Sequence, residues 1–133
     1  QTPCWRLTSS PIWKNVDDEM KDAFDTRTKN GVDPAFHAAK ALESAIKIIS
    51  DKRGWSTGKE KGAASYIDNL VSKKNGKFLD AWEGETLKQF FAKVRNPMVH
   101  GKGSVDDPKL SAPQTDWAIE FCIIWIKSIV QRF

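Results

Sequence analysis

Apolar residues in this chain recur at intervals of three and four, the spacing of one face of an α-helix. Alternation of the kind that makes half-buried strands does not extend over any useful length. The pattern predicts an all-α bundle of four to five helices. A first helix is expected from about Asp17 to Lys29, opened by Asp17, Asp18 and Glu19 at the positive end of the helix dipole and closed by Asn30-Gly31. A second follows Asp33 as N-cap and Pro34 as first helical residue, with Ala35, Ala38, Ala39, Leu42, Ala45, Ile46 and Ile49 on one face and Gly54 as its stop. The alanines on that face imply a close helix–helix approach.

A third helix is expected from about Lys59 to Lys74, with Ala63, Tyr66, Ile67, Leu70 and Val71 inward and Asn75-Gly76 ending it. A fourth starts near Glu85 and carries Leu87, Phe90, Phe91 and Val94. A fifth spans about Pro113 to Arg132, opened by Ser111 and Gln114 as a capping box. Trp117, Phe121, Ile124, Trp125 and Ile129 spread around much of its surface, which suits a central helix or an oligomer interface. The first 16 residues, with Pro3, Ser9, Ser10 and Pro11, read as an extended arm or linker from a possible upstream domain, and residues 17–133 as the helical domain.

The chain's most concentrated chemistry lies just past the fourth helix, in Arg95-Asn96-Pro97-Met98-Val99-His100, followed by Gly101 and Gly103. Guanidinium neutralises phosphate oxygens and imidazole moves protons near neutral pH, so Arg with His is a minimal kit for metal-free phosphodiester chemistry. On a helical wheel Arg95 falls about 80° from Leu87, on the shoulder of the core stripe. In an unbroken helix His100 would sit about 140° from Arg95 and diverge from it. Pro97 lacks an N–H and clashes with the carbonyl of Lys93, so a kink or helix end is expected, letting His100 return toward Arg95. The pair reads either as a working site or as a surface arginine beside a C-capping histidine.

The same wheel places His37 nearly opposite the core stripe of the second helix, as a solvated residue without a role. Glu43 falls on a shoulder of that stripe, as a support for Arg95 or as a surface partner of Lys47. Gly54-Trp55-Ser56-Thr57-Gly58-Lys59 resembles a phosphate loop only loosely, because it is one residue short between the glycines and Glu60 follows the lysine; it is rejected as a nucleotide cradle. Trp55 and Trp82 are expected in or near loops, covering a bundle end or stacking on bases. Lys59, Lys61, Lys73, Lys74, Lys77 and Lys102 form a phosphate-attracting rim if they converge and a solvated surface if they do not. Two histidines without a cluster at ligand spacing argue against a metal, and no cofactor is expected.

Composition narrows the class. The 133 residues suffice for one domain, and a net charge of +4 permits an acidic partner such as RNA without demanding one. Cys4 and Cys122 do not suggest a disulfide scaffold, which favours a reducing, cytoplasmic setting; Cys122 reads as a small buried hydrophobe. The most apolar stretch, Trp117 to Ile126, is too short for a membrane span.

Arg95-Asn96 followed by His100, with Ala41-Leu42-Glu43-Ser44-Ala45-Ile46-Lys47 and the segment Val94 to Gly103, resembles the HEPN superfamily, and within it the C-terminal domains of bacterial abortive-infection proteins. The resemblance covers roughly residues 17–133. It implies a dimeric, metal-independent endoribonuclease acting in antiviral defence, with two copies of the motif meeting in one cleft. Arg95 would stabilise the scissile phosphate, His100 would move the proton, Asn96 would orient one or the other, and Glu43 would support them. It equally implies an alternative, since many such domains are non-catalytic dimerisation or ligand- or RNA-sensing modules of larger defence proteins.

Overall fold

The computed structural model describes residues 10–26, 33–95 and 110–133. Among them are five α-helices and no strand: α1 (Lys14–Thr26), α2 (Pro34–Lys52), α3 (Ala63–Val71), α4 (Ala81–Phe90) and α5 (Ala112–Arg132). Short 3₁₀ turns occupy Pro11–Trp13 and Lys73–Asn75, and a π-helical turn, Phe91–Arg95, extends α4. The all-α expectation holds. The chain divides into two compact units, Gln1–Ala45 with Leu110–Phe133 and Ile46–Lys109.

In the first unit, α1 starts at Lys14, three residues before the acidic run that was expected to open it. The preceding turn buries Trp13, whose ring meets the ring of Phe133 edge-on with centroids 5.5 Å apart. Val16, Met20 and Ala23 recur at helical spacing and are fully buried. The start of α2 is as read. Asp33 Oδ1 accepts the N–H of Ala35 at 2.9 Å, and Pro34 sits where a missing N–H leaves nothing unsatisfied. All seven residues expected on its inward face are buried, as are Ala41 and Ser50. Five buried alanines offer little side-chain volume, so neighbouring chain can approach the α2 backbone closely.

Helix α5 opens with the expected capping box. The Gln114 N–H donates to Ser111 Oγ at 3.3 Å, and the Ser111 N–H donates to Gln114 Oε1 at 2.9 Å. Ala118, Ile119, Cys122, Ile126 and Ile129 form its buried face, each isoleucine worth about 1.5–3 kcal/mol of transfer free energy. The other side is also apolar. Trp117 and Ile124 are 50% and 64% exposed, and the rings of Trp117, Phe121 and Trp125 follow one another along the helix at 5.5 and 6.5 Å.

In the second unit, α2 ends in a Schellman arrangement. The Trp55 N–H reaches the Ser50 carbonyl at 2.8 Å, the Gly54 N–H reaches that of Asp51 at 3.1 Å, and Gly54 takes the left-handed φ of 76° that this motif requires. Helix α3 is shorter than its periodicity suggested. It begins at Ala63, because residues 57–60 close a loop of their own, and it stops at Val71, where Ser72 turns extended with ψ 130°. The Asn75-Gly76 stop instead closes the following 3₁₀ turn, with the Asn75 side chain donating to the Asn69 carbonyl at 2.9 Å.

Helix α4 begins at Ala81, four residues before the expected start near Glu85. The cause is a second capping box, in which the Asp80 N–H donates to Glu83 Oε1 at 3.0 Å. It then packs on α3 across Gly84, and Lys88 pairs with Asp68 of α3. A Cβ at position 84 would stand 2.5 Å from Cγ2 of Val71, a β-branched side chain with little rotameric freedom in a helix. Gly84→Ala is therefore expected to destabilise the protein by about 1–3 kcal/mol despite alanine's better helix propensity, and Val71→Ala in the same chain should recover part of that loss. Urea unfolding of the single and double variants measures both; an unchanged midpoint in Gly84→Ala would contradict the close packing.

Candidate functional site

The buried stripe of α4, Leu87, Phe90 and Phe91, leads directly to the candidate motif. Phe90 and Phe91 are adjacent, both buried, and meet edge-on at 5.7 Å. From Phe91 the helix widens from α to π geometry, and Arg95 is the last residue of the widened turn. Wide turns of this kind form where the regular hydrogen-bond ladder cannot continue. Proline offers no N–H to the carbonyl four residues back, so the α ladder lacks the bond from residue 97 to Lys93 by covalent structure alone. A departure from a straight α-helix was expected around Pro97. The π turn ends at Arg95, two positions short of Pro97, which itself lies outside the described residues.

Arg95 is half-buried, as its shoulder position predicted, and its Nε is enclosed from solvent. Asn96, Pro97, His100, Gly101 and Gly103 lie outside the described residues. Glu43 lies near the middle of α2, half-buried, in the first unit, whereas Arg95 belongs to the second.

The glycine-flanked loop after α2 has a structural occupation. Glu60 turns back so that its carboxylate accepts the N–H groups of Thr57 at 2.8 Å and Gly58 at 3.0 Å, the Thr57 hydroxyl at 3.2 Å and the Asn69 amide at 2.8 Å. The backbone amides that a phosphate would need already serve an anion from the chain itself, which agrees with rejecting the loop as a nucleotide cradle. Asn69 continues the network to Ser50 Oγ at 3.1 Å, which in turn meets Ser56 Oγ at 2.8 Å. Trp55 is half-buried and lies against Phe78 with ring centroids 5.9 Å apart. Trp82 is 65% exposed on the first turn of α4, and Lys59, Lys61, Lys73, Lys74 and Lys77 are all exposed; Lys102 lies outside the described residues.

Two signals were missed in the sequence. Asp80-x-x-Glu83 was legible as a capping box. His37 was read as solvated, but its Nδ1 lies 3.2 Å from Glu19 Oε1 and its side chain is only 18% exposed. A wheel drawn on α2 alone shows the face turned from its own apolar stripe, and not that α1 runs along it. Cys122 is buried as expected, which pushes its thiol pKa up. Among the described residues no helix is long and apolar enough to cross a membrane.

The described residues form five α-helices, and Arg95-Asn96 and, four residues on, His100 follow the fourth of them in the sequence. The model of the Abi_C family, a HEPN-like domain, matches residues 14–133, beginning at the first residue of α1, and the chain belongs to this family. That membership supports a HEPN-family role in abortive infection. Comparison with curated proteins and with solved structures found no match.

The Glu60 carboxyl gives a pH signature. The backbone N–H of Thr57 and the Asn69 amide, donating to its charged form, hold its pKa down to about 2 from an ordinary 4.5. A depressed pKa stabilises the folded state above the unfolded value and ceases to do so as pH falls through the folded one. The stability advantage of the native chain over Glu60→Gln should thus be constant above about pH 5 and shrink between pH 4.5 and 2. Urea unfolding of both proteins across that range checks it; an advantage that grows on acidification would contradict the arrangement.

Proposed function

We propose that this domain is a metal-independent endoribonuclease of antiviral abortive infection, cutting RNA with Arg95, Asn96 and His100. The observation that carries the reading is Arg95 itself, a half-buried guanidinium at the end of a π turn, inside a HEPN-like domain whose matched region spans the whole motif. The charge distribution supports it. Residues 46–109 hold 13 of the 21 Lys and Arg but only 8 of the 17 Asp and Glu, a net +5, while the rest of the chain sums to −1. The segment carrying the motif is therefore the one that attracts a polyanion.

In the proposed reaction the ribose 2′-oxygen forms a bond to phosphorus and the bond to the 5′-oxygen breaks. The 2′-OH proton is taken up as the nucleophile attacks, and a proton is delivered to the departing 5′-oxygen; His100 serves one of these transfers. Arg95 stabilises the charge that accumulates on the non-bridging oxygens. Asn96 orients the histidine or the phosphate, and Glu43 keeps a supporting role. The products are a 2′,3′-cyclic phosphate and a 5′-OH. The exposed aromatic face of α5 provides the dimer contact that brings two copies of the motif into one cleft, as an isologous interface needs a self-complementary patch.

Purified protein incubated with RNA in EDTA should release fragments with cyclic-phosphate ends, and Arg95→Ala and His100→Ala should each lower the rate by about 10²–10⁴-fold. Light scattering should report a dimer, shifted toward monomer by Trp117→Ala with Ile124→Asp. Cleavage that survives both active-site substitutions would remove these residues from the mechanism. RNA binding without cleavage by the native chain would instead favour the non-catalytic sensing module.

A further inference from the structure

A second cluster of chemically active side chains lies in the first unit, between α1 and α2. Glu19 and Asp22 are three residues apart on α1 and so share a face, and His37 stands in the first turn of α2. One ligand atom from each of the three lies within 4.8 Å of the other two. The Glu19 carboxylate uses its oxygens differently. Oε1 faces His37 Nδ1 at 3.2 Å, while Oε2 is held by Lys40 Nζ at 3.3 Å, and that ammonium rests over the Phe36 ring at 5.5 Å from its centroid.

We propose that Glu19, Asp22 and His37 bind a divalent transition-metal ion of the Zn²⁺ type, which clasps α1 to α2. One imidazole nitrogen with two carboxylate oxygens is a donor set that suits zinc, whereas Mg²⁺ and Ca²⁺ favour all-oxygen sites. Metal–ligand bonds of about 2.0–2.2 Å put tetrahedral donors roughly 3.3 Å apart, a spacing already met by His37 and Glu19. Asp22 is exposed at the edge of the group, with a carboxylate oxygen within 4.8 Å of the other two ligand atoms. Lys40 supplies an outer ion pair that holds Oε2 of the ligating carboxylate, leaving Oε1 for the metal. On binding, the imidazole must present an unprotonated Nδ1 to the ion, so a proton carried there leaves to solvent. Three protein ligands leave one position to water. This site is separate from the Arg95 motif and does not depend on the ribonuclease reading.

The test is calorimetric titration of the untagged full chain with ZnCl₂, repeated in a Cys4→Ser, His100→Gln background that removes the other histidine and one of the two cysteines. The expected result is one ion per chain in both proteins, with a rise in Tm that EDTA reverses and that Mg²⁺ does not produce. His37→Gln and Asp22→Asn should each weaken binding at least about tenfold. Asp22 is exposed, so its variant keeps the test decisive if circular dichroism finds His37→Gln unfolded. Zinc bound equally well by the folded variants, or no zinc bound by the native chain, would overturn the proposal and leave the His37–Glu19 contact as an interhelical hydrogen bond.

Discussion

The structure depends on the burial of α2. Its face of Ala35, Ala38, Ala39, Ala41 and Ala45, with Leu42, Ile46 and Ile49 among them, has no solvent exposure, and the helix contributes Pro34–Ala45 to one compact unit and Ile46–Lys52 to the other. A helix buried on so much of its surface must place its few polar groups with care. Asp33 satisfies the amides at its start, the Gly54 turn satisfies carbonyls at its end, and Ser50, fully buried, is hydrogen-bonded to Ser56 and Asn69. Five of its buried side chains are alanines, so this face is covered with little side-chain volume of its own.

Helix ends account for much of the remaining detail. Three N-termini carry a side-chain cap from Asp33, Asp80 or Ser111, and the loop before α3 is closed by an internal carboxylate on backbone amides. Each cap supplies about 1 kcal/mol and, more importantly, sets where the helix begins. The start of α4 at Ala81 determines which face meets α3, with Gly84 against Val71. It also determines how many turns separate the capping box from Arg95. The guanidinium is thus positioned by a chain of local rules: a cap, a glycine contact, an aromatic pair and a widened turn before proline.

The sequence made the apolar stripes, the N-caps at Asp33 and Ser111, the glycine stop at Gly54 and the half-buried position of Arg95 readable, because each depends on residues within one turn of itself. The resemblance carried by Arg95-Asn96 and His100 is confirmed at the level of family by a match that spans residues 14–133. What escaped was set by neighbours distant in sequence. α3 loses its first residues to a loop organised by Glu60 and Asn69, nine positions apart. His37 is drawn out of solvent by Glu19, eighteen positions away.

By itself, then, the sequence determined an all-α chain, its helix faces, its principal caps and the motif that places it among HEPN-like domains. Periodicity, propensity and capping act within a few residues, and short-range forces are what a linear pattern records. The tertiary structure decided which apolar face of α5 is buried and which remains exposed, and which titratable groups of α1 and α2 stand together. Those outcomes depend on burial and on Coulomb and hydrogen-bond terms between elements, which exist only once the helices are packed.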